Sequence, residues 1–122
     1  MKRCMFVDDS SVIRKVAKRI LSGSNLLVVE AESGMHALAI CENAMPDIII
    51  VDSALEDIPT VDFIRRVRQI DSLLKPQVAI CLTEFDLGAI MRAKRAGAQG
   101  YLLKPFTRPQ LLERFRTLDA AA

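Results

Sequence analysis

At 122 residues the chain is long enough for one domain, and 51% apolar against 26% charged residues is the balance of a soluble protein with a real core. No stretch of about 18 apolar residues is available to cross a membrane, and a formal net charge of +2 is too small to imply nucleic-acid binding. Three cysteines without paired spacing argue against a disulfide framework or a zinc site. They read as buried thiols, which predicts a cytoplasmic location. Met1-Lys2-Arg3 looks like the start of a signal peptide, but Asp8 and Asp9 interrupt the apolar run at once.

In chain order, residues 3–8 predict a first strand, followed by a helix capped by Ser10 or Ser11. Ile13, Val16, Ala17, Ile20 and Leu21 recur at helical spacing, with Arg14, Lys15, Lys18 and Arg19 opposite; Gly23 and Ser24 end the helix. Residues 26–31 predict a second strand, and Ser33-Gly34 opens a helix to about Asn43 with Ala37, Leu38 and Cys41 inward. The run Ile48-Ile49-Ile50-Val51-Asp52 is rich in branched apolar residues and reads as a strand buried on both faces, as in a parallel sheet. After a loop over 53–60, a helix is predicted from about Val61 to Ile70, then a strand over 78–82 ending at Thr83. Asp86 begins a weakly patterned helix to about Ala96, built on alanines and Ile90. Gly97 and Gly100 flank the turn into Tyr101-Leu102-Leu103, a short fifth strand ending at Lys104-Pro105. Thr107-Arg108-Pro109-Gln110 fits a capping box, and Leu111, Leu112, Phe115 and Leu118 give the last helix an apolar stripe. Strand and helix alternate, which predicts an α/β fold: a doubly wound, five-stranded parallel sheet with helices on both faces.

The chemistry collects at strand ends. Asp8 and Asp9 follow the first strand, Asp52 ends the third, Thr83 follows the fourth and Lys104 the fifth. In an open α/β sheet these ends share one edge, where ligands bind. Asp is a poor strand former and costly to bury, so a carboxylate ending an apolar strand asks for a partner. Three carboxylates together repel one another unless a cation lies among them, and Mg²⁺, a hard ion that favours one or two carboxylates plus phosphate, suits the set. A carboxylate can also attack a phosphoryl group, with Lys104 and Thr83 placed to meet the developing charge.

Val7-Asp8-Asp9-Ser10, Pro46-Asp47 leading to Asp52, Thr83, Ala96-Gly97-Ala98 and Gly100-Tyr101-Leu102-Leu103-Lys104-Pro105-Phe106 together resemble a two-component response-regulator receiver domain of the CheY type over essentially the whole chain. The resemblance implies a flavodoxin-like sheet of strand order 2-1-3-4-5. It implies that Asp52 accepts a phosphoryl group from a sensor histidine kinase. Asp8 or Asp9 (chiefly Asp9), Asp52 and the backbone carbonyl of Ala54 would hold Mg²⁺. Thr83 and Lys104 would contact the phosphoryl oxygens, Tyr101 would turn inward when Thr83 moves, and the Lys104-Pro105 bond would be cis. The protein would catalyse only its own phosphorylation and dephosphorylation. It would switch binding to a downstream target, a flagellar-motor or chemotaxis kinase component, through the face of the fourth helix, fifth strand and fifth helix. The expectation is one receiver domain over 1–122 without an output domain, acting on no DNA and entering no membrane.

The chain departs from the family pattern after Asp52. The usual Pro four residues on is Glu56, and the usual Gly eight residues on is Thr60. Ala54 has no polar side chain to orient water, and Glu84 stands where a small residue is usual. These predict slow spontaneous dephosphorylation. Alternatives are a phosphoryl shuttle or sink, and a degenerate receiver that binds partners or a nucleotide constitutively. A haloacid-dehalogenase-type hydrolase is disfavoured, since it wants a second Asp at position 54. His36 reads as a solvated helix residue. The Arg14–Arg19 face is either solvated or a dock for an acidic kinase helix. Arg92, Lys94 and Arg95, with Arg108 near, could bind an anionic nucleotide or a partner, but lack interleaved aromatics. Phe85 is either a partner contact or a cover on the core's edge.

Overall fold

The computed structural model describes residues 1–23 and 25–122; Ser24, expected to help end the first helix, lies outside the described residues. The elements follow in the order β1 Lys2–Val7, α1 Ser11–Leu21, β2 Leu26–Ala31, α2 Gly34–Asn43, β3 Ile48–Asp52, α3 Thr60–Gln69, β4 Gln77–Leu82, α4 Leu87–Ala96, β5 Gly100–Leu103 and α5 Arg108–Ala121. One five-stranded sheet runs β2-β1-β3-β4-β5, with every pairing parallel. The flavodoxin-like order is thus as expected. Strand and helix boundaries differ from expectation by a residue: β1 stops at Val7, so Asp8 stands just beyond it.

Side-chain alternation divides the core. Met5, Val7, Ile49, Val51, Val78, Ile80 and Leu82 point to one face and pack on α2, α3 and α4. Cys4, Phe6, Ile48, Ile50, Ala79 and Cys81 point to the other and pack on α1 and α5. The split follows from topology. Crossovers of one hand place a helix on opposite faces when the chain changes direction across the sheet. The chain steps outward once, from β1 to β2, and then reverses to β3 on the far side of β1.

Local signals explain the helix ends. The hydroxyl of Ser10 accepts from the Ile13 N–H, that of Ser33 from His36, and the carboxylate of Asp86 from Ala89. Thr107 and Gln110 close the capping box in both directions. At the end of α4, Gly97 takes φ +122°, a left-handed conformation that suits glycine alone, and Arg68 lies against it. α4, weakly patterned in sequence, buries Ile90, Ala93 and Ala96.

Two residues of α1 sit differently from their helical spacing. Val16 is exposed, while the Arg14 side chain, expected on the solvated face, is tucked in at 12% exposure beside Glu30 of β2. The cysteines are all buried and free. Burial pushes the Cys4 thiol up to about 12. It does the same for Cys81, with lesser opposing and reinforcing charges nearby, also to about 12. Such thiols hold little thiolate at neutral pH and are structural.

Phe63 is fully buried on α3, whereas Leu73 is fully exposed. Phe63→Ala is expected to lower the unfolding free energy by about 3–5 kcal/mol in a denaturant titration, and Leu73→Ala to change it by less than about 0.5 kcal/mol.

Candidate functional site

β1 and β3 are neighbours, paired from Cys4 with Ile48 to Val7 with Val51. The residues that follow this register, Asp8 and Asp52, therefore face each other where the sheet's direction reverses. Asp8 has no exposed surface, Asp52 is 5% exposed, and Asp9 is open to solvent. Carboxylate oxygens of Asp8, Asp9 and Asp52 all lie within 4.8 Å of one another.

Lys104, arriving from the end of β5, places its ammonium 2.9 Å from Asp8 Oδ2 and 3.3 Å from Asp52 Oδ1. Its entry is fixed by the backbone: Lys104 N–H donates to the Leu82 carbonyl, and the Lys104-Pro105 bond is cis, as the resemblance implies. Burial alone would pull the Lys104 pKa down. The Asp8 hydrogen bond and the Asp52 charge outweigh it and hold the ammonium above its ordinary 10.5.

The two buried acids are anchored. Ser10 N–H donates to Asp8 Oδ1 at 2.9 Å, and Arg14 Nη1 donates to the Asp8 carbonyl at 2.6 Å. Arg14 also bonds Glu30 at 3.2 Å, and Lys15 reaches the same carboxylate at 2.7 Å. Asp52 Oδ1 accepts the Ala54 N–H at 3.2 Å, and Thr60 Oγ1 donates to the Asp52 carbonyl at 2.7 Å. Asp57 spans the first two amides of α2, Gly34 at 3.0 Å and Met35 at 2.8 Å. Desolvation pushes the Asp57 carboxyl up, but backbone N–H donors, Met35 and Gly34 foremost with Asp57 and Ile58, outweigh it and leave it below its ordinary 3.8.

In the sequence, Arg14 reads as part of a solvated or docking face and Thr60 only as a departure from the family's glycine; neither of them, nor Asp57, reads there as a support of the site. Glu30 inside an apolar strand was the available sign that a cation packs beside it. Asp57 reaches amides 23 and 22 residues away, which no local pattern encodes.

Of the remaining expected residues, Thr83 is exposed and lines a cleft of about 730 Å³ with Ser53, Glu84, Phe85, Asp86 and Arg92. Tyr101 is half-buried. Its ring meets Phe85 edge-on at 5.8 Å, and the Arg114 guanidinium lies 5.5 Å over it. Phe85 is thus a cover on Tyr101, with 58% of its surface still exposed. His36 is exposed and its Nδ1 accepts the Glu32 N–H, the ordinary role expected of it.

The oxygen-only donor set, one member open to solvent, fits a hard divalent cation such as Mg²⁺. A cation-seeking cleft at the reversal point of a flavodoxin-like sheet is the layout of a CheY-like receiver.

The profile of the response regulator receiver domain matches residues 4–116, and the chain belongs to that family. It is 28% identical over 112 residues to the chemotaxis protein CheY of Bacillus subtilis, covering 91% of this chain and 92% of that one. It is 31% identical over 113 residues to CheY1 of Helicobacter pylori, covering 91% and 90%. The structure of chemotaxis protein CheY4 of Vibrio cholerae superposes with a TM-score of 0.90 at 29% identity, over 97% of this chain and 98% of that one. No described helix is long and apolar enough to cross a membrane.

Lys104→Met would leave buried Asp8 beside Asp52 without a counter-charge. In the absence of divalent ions it is expected to destabilise the fold by about 3 kcal/mol at neutral pH. Because the Lys104 pKa is raised, its contribution is complete below 10.5 and fades as pH rises through the folded value. Denaturation curves of the two proteins should therefore converge in strongly alkaline buffer.

Proposed function

We propose that this response regulator accepts a phosphoryl group on Asp52 from the phosphohistidine of a sensor kinase, with Mg²⁺ present, and that phosphorylation switches its binding to a protein target. The observation that carries the reading is the meeting of Asp8, Asp9, Asp52 and Lys104 at adjoining strand ends. Asp8 or Asp9, chiefly Asp9, with Asp52 and the Ala54 carbonyl would hold the ion, which supplies positive charge against the phosphoryl oxygens.

The chain's own groups have definable parts. Asp52 Oδ1 is engaged by Ala54 and Lys104, which leaves Oδ2 as the nucleophile. A phosphorus–oxygen bond forms to it as the phosphorus–nitrogen bond of the donor breaks. The departing histidine nitrogen keeps the electron pair and takes a proton. Lys104 needs only a small shift from the carboxylates to meet the transferred oxygens, and charge already fixed in a buried site requires little reorganisation. Thr83, on the cleft wall, has a hydroxyl to donate. Its movement toward the phosphoryl group would open space beside Tyr101 and let the ring leave its place between Phe85 and Arg114. That two-state change would be the signal.

Likeness to several CheY proteins supports chemotaxis, with a flagellar-motor or chemotaxis kinase component as the target, and a cytoplasmic setting in which the buried thiols stay reduced. The face of α4, β5 and α5 would carry the output.

Incubation with a small phosphodonor should give a phosphoryl adduct by intact mass on the wild type only with Mg²⁺, and none on Asp52→Asn. A folded, Mg²⁺-binding wild type that takes no adduct would leave constitutive binding as the better reading. A second expectation concerns lifetime. Ala54 offers no group to orient a water, so the phosphoprotein should decay slowly, and Ala54→Asn should shorten its half-life by about tenfold or more. Equal decay of the two forms would remove Ala54 as the cause.

A further inference from the structure

After Asp52, in and just beyond the loop from Ser53 to Pro59, the chain has Glu56 and Thr60 at the positions where the family this chain resembles usually carries a proline and a glycine. The structure shows what stands in for them. Thr60 is buried at 7% exposure, and its hydroxyl closes the loop on itself by donating to the carbonyl of Asp52, eight residues back. A carbonyl at a buried strand end needs such a donor.

The loop's middle is tied to a different element. Asp57 accepts from the Gly34 and Met35 amides, and with Ser33 capping His36 this satisfies the first three N–H groups of α2. Gly34 makes the approach possible. A Cβ there would stand 2.6 Å from Ile58 Cγ1 and 3.2 Å from Leu55 Cδ1. The loop is therefore held at its base by a hydroxyl and across its middle by a carboxylate. Between the two ties lies Ala54, whose N–H already orients Asp52 Oδ1.

We infer that Thr60 and Asp57 are positioning residues of the phosphoacceptor loop, holding it so that the Asp52 carboxylate and the Ala54 carbonyl face a divalent cation together. This rests on the cation-assisted reading of the site given above. Neither residue touches the reacting atoms. Each acts through the backbone, as partners outside the ligand set commonly do at metal sites.

The test is calorimetric titration of Mg²⁺ alone into the wild type and into Thr60→Val, Thr60→Ser, Asp57→Asn and Asp9→Asn. Thr60→Val keeps the shape and loses the donor; it should weaken Mg²⁺ by about tenfold, while Thr60→Ser stays within about twofold of wild type. Asp57→Asn keeps one acceptor oxygen, and weakening of about threefold or more is expected. At saturating Mg²⁺ the phosphorylation rates of these loop variants should approach that of the wild type, because the defect lies in cation binding.

If Thr60→Val and Asp57→Asn melt earlier yet bind Mg²⁺ as the wild type does, their role is structural only and the proposal is overturned. Should Thr60→Val fail to fold, Asp57→Asn, at an exposed position, decides alone. Asp9→Asn separates the two levels. If Asp9→Asn binds Mg²⁺ as tightly as wild type, or the wild type does not bind it, the cation reading itself fails and takes the loop proposal with it.

Discussion

The molecule is organised around the close meeting of Asp8 and Asp52 with the Lys104 ammonium. Two carboxylates almost without exposure, brought side by side by neighbouring strands, would oppose folding if left alone. The fifth strand answers them by delivering a cation, although its end lies beyond β4, two strands from β3. Much else serves this arrangement. The Leu82 carbonyl sets the height of Lys104 on the sheet, Ser10 holds the Asp8 carboxylate and Arg14 its backbone carbonyl, and Thr60 steadies the backbone of Asp52. A site balanced in this way is poised for exchange. Any species that brings its own positive charge to the acids relieves Lys104 of part of that duty and frees it for an incoming anion.

The sheet explains why such a site can exist in so short a chain. Because the chain reverses between β2 and β3, the crevice outside β1 and β3 is left uncovered by any crossover. Both faces of the central strand are filled, Ile48 and Ile50 on one side and Ile49 and Val51 on the other, so its end is held rigidly. Rigidity there and openness a few ångströms away are produced by the same topology.

How far the sequence discloses this depends on the range of each interaction. The strands were legible because branched apolar runs have few other uses, and the site acids and Lys104 because each stands where such a run stops. Capping residues were legible because they act within four positions. Val16 and Arg14 were misplaced by helical spacing. Periodicity cannot tell that Glu30 on β2 draws an arginine inward, nor that Val16 stays exposed. The supporting roles of Asp57 and Thr60 were missed for a related reason. An acidic, glycine-free loop looks irregular in one dimension. Only the fold reveals that the charge meets helix amides and the hydroxyl meets a strand-end carbonyl. Whether Thr83 and Tyr101 belong to one moving unit is likewise not written in their spacing; the ring's contacts with Phe85 and Arg114 are tertiary.

The helices on one face of the sheet are not equally gripped. α3 is locked by Phe63, Ile64 and Val67, whereas α4 meets the same core with one isoleucine and two alanines. The two alanines of α4 make a smooth seam, with Ile90 the one large side chain to withdraw before the surfaces can slip. α4 thus has less packed volume to displace than α3, and its first turn adjoins the cleft wall that holds Thr83. Beside the place where charge would change, the fold presents a helix held by less packed volume than its neighbour α3.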